Sequence, residues 1–143
     1  MTAKDLFMEA MRRTDAEDYD GFLELQAPDV DWRMPGADLH GRDQVRENMQ
    51  GFWQGFSDGR HVIDGITSDG DTVYAEGVWH ARNDHDLPTP EGTVPATGRT
   101  VALRFAIIVA IDVAAGYATS VRLYFDQLDF LGQLGLLPQA AAA

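Results

Sequence analysis

Through the first 56 residues the apolar positions recur at spacings of three and four; beyond them, as far as residue 125, they mostly alternate. Leu6, Phe7, Ala10 and Met11 share one helical face. Thr2 and Asp5 ahead of them give a start signal, and Arg12 and Arg13 place cations at the far end. A second amphipathic segment starts at Asp15, with Ala16, Tyr19, Phe22 and Leu23 on one side, and must stop by Ala27 because Pro28 restricts the residue before it. The short link predicts that the two helices fold back on each other. Residues 29–41, DVDWRMPGADLHG, read as a short extended segment holding Val30 and Trp32, then a Pro35-Gly36 turn. Over residues 42–56, Val45, Met49, Phe52, Trp53 and Phe56 step along one face of a third helix.

After an Asp58-Gly59 turn the period changes to two. Residues 61–67 and 72–82 read as strands joined by a Ser68-Asp69-Gly70-Asp71 turn. In the second of them Val73, Ala75, Gly77, Trp79 and Ala81 face one way, and Tyr74, Glu76, Val78, His80 and Arg82 the other. Neither file is cleanly polar, which predicts helices on one side and a second subunit or a partly wet cavity on the other. Residues 83–98, rich in proline, glycine and acid, read as a long loop able to serve as a lid. Residues 99–112 form the most apolar strand, with Val101, Leu103, Phe105, Ile107, Val109 and Ile111 opposite a row of small residues broken by Arg104. The last strand spans 117–125, and Arg122, Tyr124 and Asp126 share a face if its alternation holds. It runs into a short helix marked by Leu128, Leu131 and Leu134. Three helices followed by long antiparallel strands and a closing helix make an α+β plan, with a curved sheet wrapped around the helices. One domain over 1–138 is expected, with 139–143 as a disordered alanine-rich tail.

Composition narrows the function. Eleven basic against 23 acidic residues give a formal charge of -12, which repels phosphate backbones and anionic headgroups; nucleic acid and membrane surfaces are not expected partners. There is no cysteine, so thiolate chemistry and disulfides are excluded, in keeping with a reducing, cytoplasmic setting. The four histidines lie in different predicted elements without metal-ligand spacing, so no metal site is expected, nor does any phosphate-binding glycine loop occur.

Asp126, on the joint between last strand and last helix, has two readings: a helix cap or an acid/base group facing inward. His80 is either a hydrogen-bonded strand residue or a proton-transfer partner. Arg104 either reaches a carboxylate or emerges into solvent. The stripe of Phe52, Trp53 and Phe56 is either plain core or the wall of an apolar ligand cavity, to which Trp32 and Trp79 would add. Tyr19, Tyr74 and Tyr124 could each donate a phenolic hydrogen bond to a ligand, or simply pack.

The sequence W-x-x-PG followed by GRD (Trp32, Pro35-Gly36, Gly41-Arg42-Asp43), then PATGR at 95–99 and YFDQL with QLGLLP at 124–138, resembles the SnoaL-like polyketide cyclase family of the nuclear-transport-factor-two-like superfamily. The resemblance implies a conical pocket between sheet and helices, and a homodimer packed through outer sheet faces. It also implies ring closure by aldol condensation without metal or organic cofactor, and the residue matching the family's acid/base carboxylate is Asp126. Ketosteroid-isomerase-like relatives place a base before a proline where this chain has Met34, and epoxide-hydrolase-like relatives need an aspartate two residues after an arginine where Ala106 follows Arg104. The expected function is therefore a cofactor-independent cyclase or isomerase. The alternative is a non-catalytic dimeric protein that binds an apolar small molecule.

Overall fold

The computed structural model describes residues 1–89 and 92–137. The alanine-rich end expected to be disordered lies outside the described residues. Helix α1 (Ala3–Asp15) begins with a reciprocal cap: Thr2 Oγ1 accepts from the Asp5 N–H, and the Asp5 carboxylate accepts from the Thr2 N–H. Helix α2 (Tyr19–Glu24) is shorter than its amphipathic pattern predicts, because Glu17 takes a left-handed backbone (φ 60°) and breaks the chain into a turn. Asp18 then restarts the helix by accepting from the Gly21 N–H at 2.9 Å. A β-carbon on Gly21 would lie 2.1 Å from that carboxylate, so a larger residue there would push the cap aside.

Residues 26–40 form two paired strands rather than one extended segment: β1 (Gln26–Met34) and β2 (Ala37–His40), joined through Gly36 at φ 81°. Helix α3 (Arg42–Gly55) follows, then β3 (Ser57–Asp69), which starts earlier than expected. Asp58 and Gly59 lie inside this strand as a bulge, since the register with β4 (Thr72–Arg82) shifts between Ser57 and Arg60. The long loop carries a small hairpin of β5 (Leu87–Thr89) and β6 (Gly92–Val94). Strands β7 (Thr100–Asp112) and β8 (Tyr117–Phe125) lead to α4 (Gln127–Gln133).

The curved six-stranded sheet has the order β2-β1-β8-β7-β4-β3. Its pairings are antiparallel except β1 with β8, which run parallel and set an early strand beside the last one. Helices α1, α2 and α3 cover its inner face. There Phe7, Phe22, Val30, Val45 and Val73 are buried against Ile107, Val109 and Val121 of the central strands. A smaller cluster of Phe56, Ala81, Val101, Leu103, Phe130 and Leu134 fastens α4 to the far end of the sheet. At that end the Gln133 amide accepts from the Ala102 N–H at 2.7 Å and donates to the Ala102 carbonyl at 3.0 Å. Asn83, fully buried, clasps the two ends of the long loop: its Nδ2 donates to the Gly55 and His85 carbonyls, while its Oδ1 accepts from Thr97 N–H and Oγ1–H.

Candidate functional site

Between the two apolar clusters lies a cavity of about 130 Å³. Its walls come from the inward files of the strands and the facing sides of the helices. Strand β4 supplies Trp79, β7 supplies Leu103, Phe105 and Ile107, and β8 supplies Leu123 and Phe125. Helix α3 contributes Met49, Phe52 and Trp53, and Phe56 follows at its end. The aromatic stripe thus does both jobs weighed from the sequence, packing the core and walling a space. Tyr19 stacks on Trp53 with ring centroids 4.3 Å apart, and Phe56 meets Trp79 edge-on at 5.1 Å. The Trp32 indole is held in the wall by donating to Gln26 Oε1 at 2.9 Å. Trp53 Nε1 is buried without a hydrogen-bond partner among the described residues. Burial pushes the Tyr19 phenol above its ordinary pKa, which keeps it a neutral donor at physiological pH.

Almost the whole lining is apolar, so the polar groups in it stand out. Asp15, the last residue of α1, and His61, in the inward file of β3, both line the cavity. His61 Nδ1 lies 2.6 Å from Asp15 Oδ1, and the His61 backbone N–H donates to Asp15 Oδ2 at 2.9 Å. Both carboxylate oxygens are therefore engaged, and the imidazole is fixed in orientation. With Asp15 ionised, its bond places the proton on Nδ1 and leaves Nε2 as the basic nitrogen. Phe105 meets the imidazole edge-on at 5.7 Å, which holds the ring against the apolar wall.

Tyr19, Trp32, Phe52, Trp53, Phe56 and Trp79 are brought together around the cavity. The other sequence candidates are elsewhere. Asp126 is exposed and caps α4, its Oδ1 accepting from the Asp129 N–H at 3.1 Å. The alternation of β8 holds to its end, so Leu123 and Phe125 face the cavity while Arg122, Tyr124 and then Asp126 fall on the opposite side. Tyr124 is 53% exposed there. Arg104 is exposed on that outer face opposite Val78, and His80 borders a shallow outer groove with Arg82 and Gln133. The expectation that Asp126 and His80 reach into the pocket is thus corrected by the parity of their own strands.

Several residues that carried the sequence resemblance have structural work. Arg42 donates through Nε to the Gln26 carbonyl at 2.7 Å, and Thr97 of PATGR bonds to Asn83. Residues 6–119 match the SnoaL-like domain. The chain belongs to that family. No curated protein matches this SnoaL-like sequence. Among solved structures it is similar to AclR, a candidate hydroxylase from Streptomyces galilaeus, with a TM-score of 0.80 at 18% identity, over 95% of this chain and 97% of that one. A candidate polyketide cyclase from Pseudomonas putida gives 0.74 at 25% identity, over 93% and 98%. TerC, crystallised with polyporic acid, gives 0.70 at 19% identity, over 93% and 98%. Among the described residues of this SnoaL-like domain no helix is long and apolar enough to cross a membrane, and no three metal-ligating side chains converge.

Proposed function

We propose that this SnoaL-like domain is a cofactor-independent enzyme, a cyclase or isomerase acting on a small apolar carbonyl compound. The carrying observation is the His61–Asp15 pair on the wall of an otherwise apolar cavity. In this reading His61 Nε2 takes a proton from the carbon beside the substrate carbonyl, and Asp15 holds the ring in the required tautomer and balances the imidazolium that forms. In an isomerisation the imidazolium returns that proton to another carbon of the conjugated system. In a ring closure the enolate carbon bonds to a second carbonyl carbon, and the resulting alkoxide takes the proton from Nε2. The apolar lining excludes water that would quench the enolate. Membership of the SnoaL-like family and the likeness to a candidate polyketide cyclase support this chemistry. TerC, of the same fold, has been crystallised with a small molecule, which supports a ligand-holding cone.

The outer sheet face, with Val62, Tyr74 and Tyr124 exposed, is in this reading where a second copy packs. Sedimentation at micromolar concentration should then give twice the mass of the chain. The catalytic reading is tested by deuterium exchange into the carbon beside the carbonyl of cyclic ketones, followed by NMR. Wild type should accelerate exchange and His61→Phe should not; equal exchange by both would remove the acid/base role and leave ligand binding alone.

A further inference from the structure

The size and charge of the cavity define what it accepts. An enclosed apolar space of roughly 150 Å³ in an engineered protein holds one benzene, and the space here is about 130 Å³. A fused three-ring molecule would overfill this space, and would have to leave a ring outside it or displace wall residues such as Leu103 and Phe105, which are buried and packed into the sheet. The walls are flat. Tyr19 stacked on Trp53, and Phe56 against Trp79, present ring faces and edges suited to another ring.

Charge gives an independent restriction. Among the described residues that line the cavity there are two carboxylates, Asp15 and Glu17, and no lysine or arginine. The one group able to become cationic, His61, is already held by Asp15 at 2.6 Å. An anionic ligand would lose its hydration without meeting a free cation, and would face the acidic field of a chain with a net charge of -12. An oxygen acceptor on a neutral ligand, by contrast, fits a wall that holds the neutral phenol of Tyr19.

We infer that the cavity selects an uncharged single-ring molecule bearing a carbonyl or hydroxyl oxygen, and rejects both carboxylates and fused three-ring compounds. This rests on the cavity being the ligand site, as proposed above, and not on the proton-transfer step.

The test is calorimetric titration of the whole chain with matched probes: p-cresol, 4-methylbenzoate and 2-anthrol. Site occupancy is read from the indole N–H resonances of Trp32, Trp53 and Trp79, all three of which line the cavity. The expected result is that p-cresol binds and shifts those resonances, while the benzoate and the anthrol bind at least about tenfold more weakly. The size arm is stringent, because greater apolar area alone would favour the larger probe. Binding of 4-methylbenzoate or 2-anthrol as tight as p-cresol, or no p-cresol binding at millimolar concentration, would overturn the inference. The expected ranking without deuterium exchange would remove only the catalytic reading; exchange with the ranking reversed would remove only this one.

Discussion

Asp15 ends the first helix and His61 lies in the third strand, yet a 2.6 Å contact joins their side chains at the wall of the cavity. The pair ties helix to sheet and is also the cavity's one histidine–carboxylate couple among the described residues. Asp15→Asn should lower turnover by about 10²-fold or more, because the amide no longer holds the imidazole in the basic tautomer. The double variant with His61→Phe should be little worse than the poorer single, since the two act as a unit. Steady-state rates on any accepted ketone, with circular dichroism to confirm folding, decide this.

Asp126→Asn should leave turnover unchanged, because the side chain caps α4 outside the cavity. Asparagine caps as well as aspartate, so stability should barely move; Asp126→Ala should cost about 0.5–2 kcal/mol. Urea denaturation of both variants, beside their rates, separates a cap from an acid.

Glu9 gives an acid-dependent stability. Its side chain bonds to Arg12 and Arg13, which lower its pKa from 4.5 to about 2. A carboxylate depressed in the folded state stabilises the fold above its unfolded value and loses that contribution as pH falls. Wild type should therefore melt above Glu9→Gln at pH 6, and the gap should close between about pH 4.5 and 2. A gap that stays constant across this range would contradict the assignment.

Gly77 pairs with Ile63 beside a second register shift in β3, between Ile63 and Gly65, and a β-carbon there would lie 2.2 Å from the Val62 carbonyl oxygen. The obstacle is backbone, which cannot swing aside as a side chain can. Gly77→Ala should cost about 1–3 kcal/mol. Gly65→Ala, which would meet only the Glu76 side chain at 3.6 Å, should stay within about 1 kcal/mol. Paired thermal melts give the comparison.

Asn83→Ala removes four side-chain hydrogen bonds at one buried position. The partners left unpaired should cost about 2–4 kcal/mol in total. Hydrogen exchange at Thr97 should accelerate more than exchange in the middle of β7, as the loop ends come apart before the sheet does.

How far the sequence reveals this molecule depends on the range of each signal. The bounds 72–82 and 117–125 match those of β4 and β8, because long strands repeat their pattern many times, although the alternation of β8 slips between Ala118 and Val121, where its register with β7 shifts. The pairing of β1 with β2 and β8 was not legible: Pro28 and the Pro35-Gly36 turn interrupt the period, and the β8 partner is far along the chain. Asp58-Gly59 looks like a turn because Asp58 does adopt a left-handed backbone (φ 54°), though within a strand. At the site, the aromatic wall shows as helical spacing, whereas the Asp15–His61 pair has no local signature across 46 residues. One clue existed: His61 shares the inward file with Gly59 and Ile63, while its neighbours Arg60 and Val62 point outward. The same parity argument, carried to the end of β8, places Asp126 outside.

Strand β7 outruns its neighbour β8, so beyond Phe105 its backbone would offer unpaired groups to any passing extended peptide. The carboxamide of Gln133 occupies that vacancy at Ala102, one donor and one acceptor matching what an added strand would bring. A single side chain from the closing helix thus fills the backbone pairing of this flank at Ala102, and Gln133→Ala should show turbidity in concentrated samples beside a somewhat lower melting point.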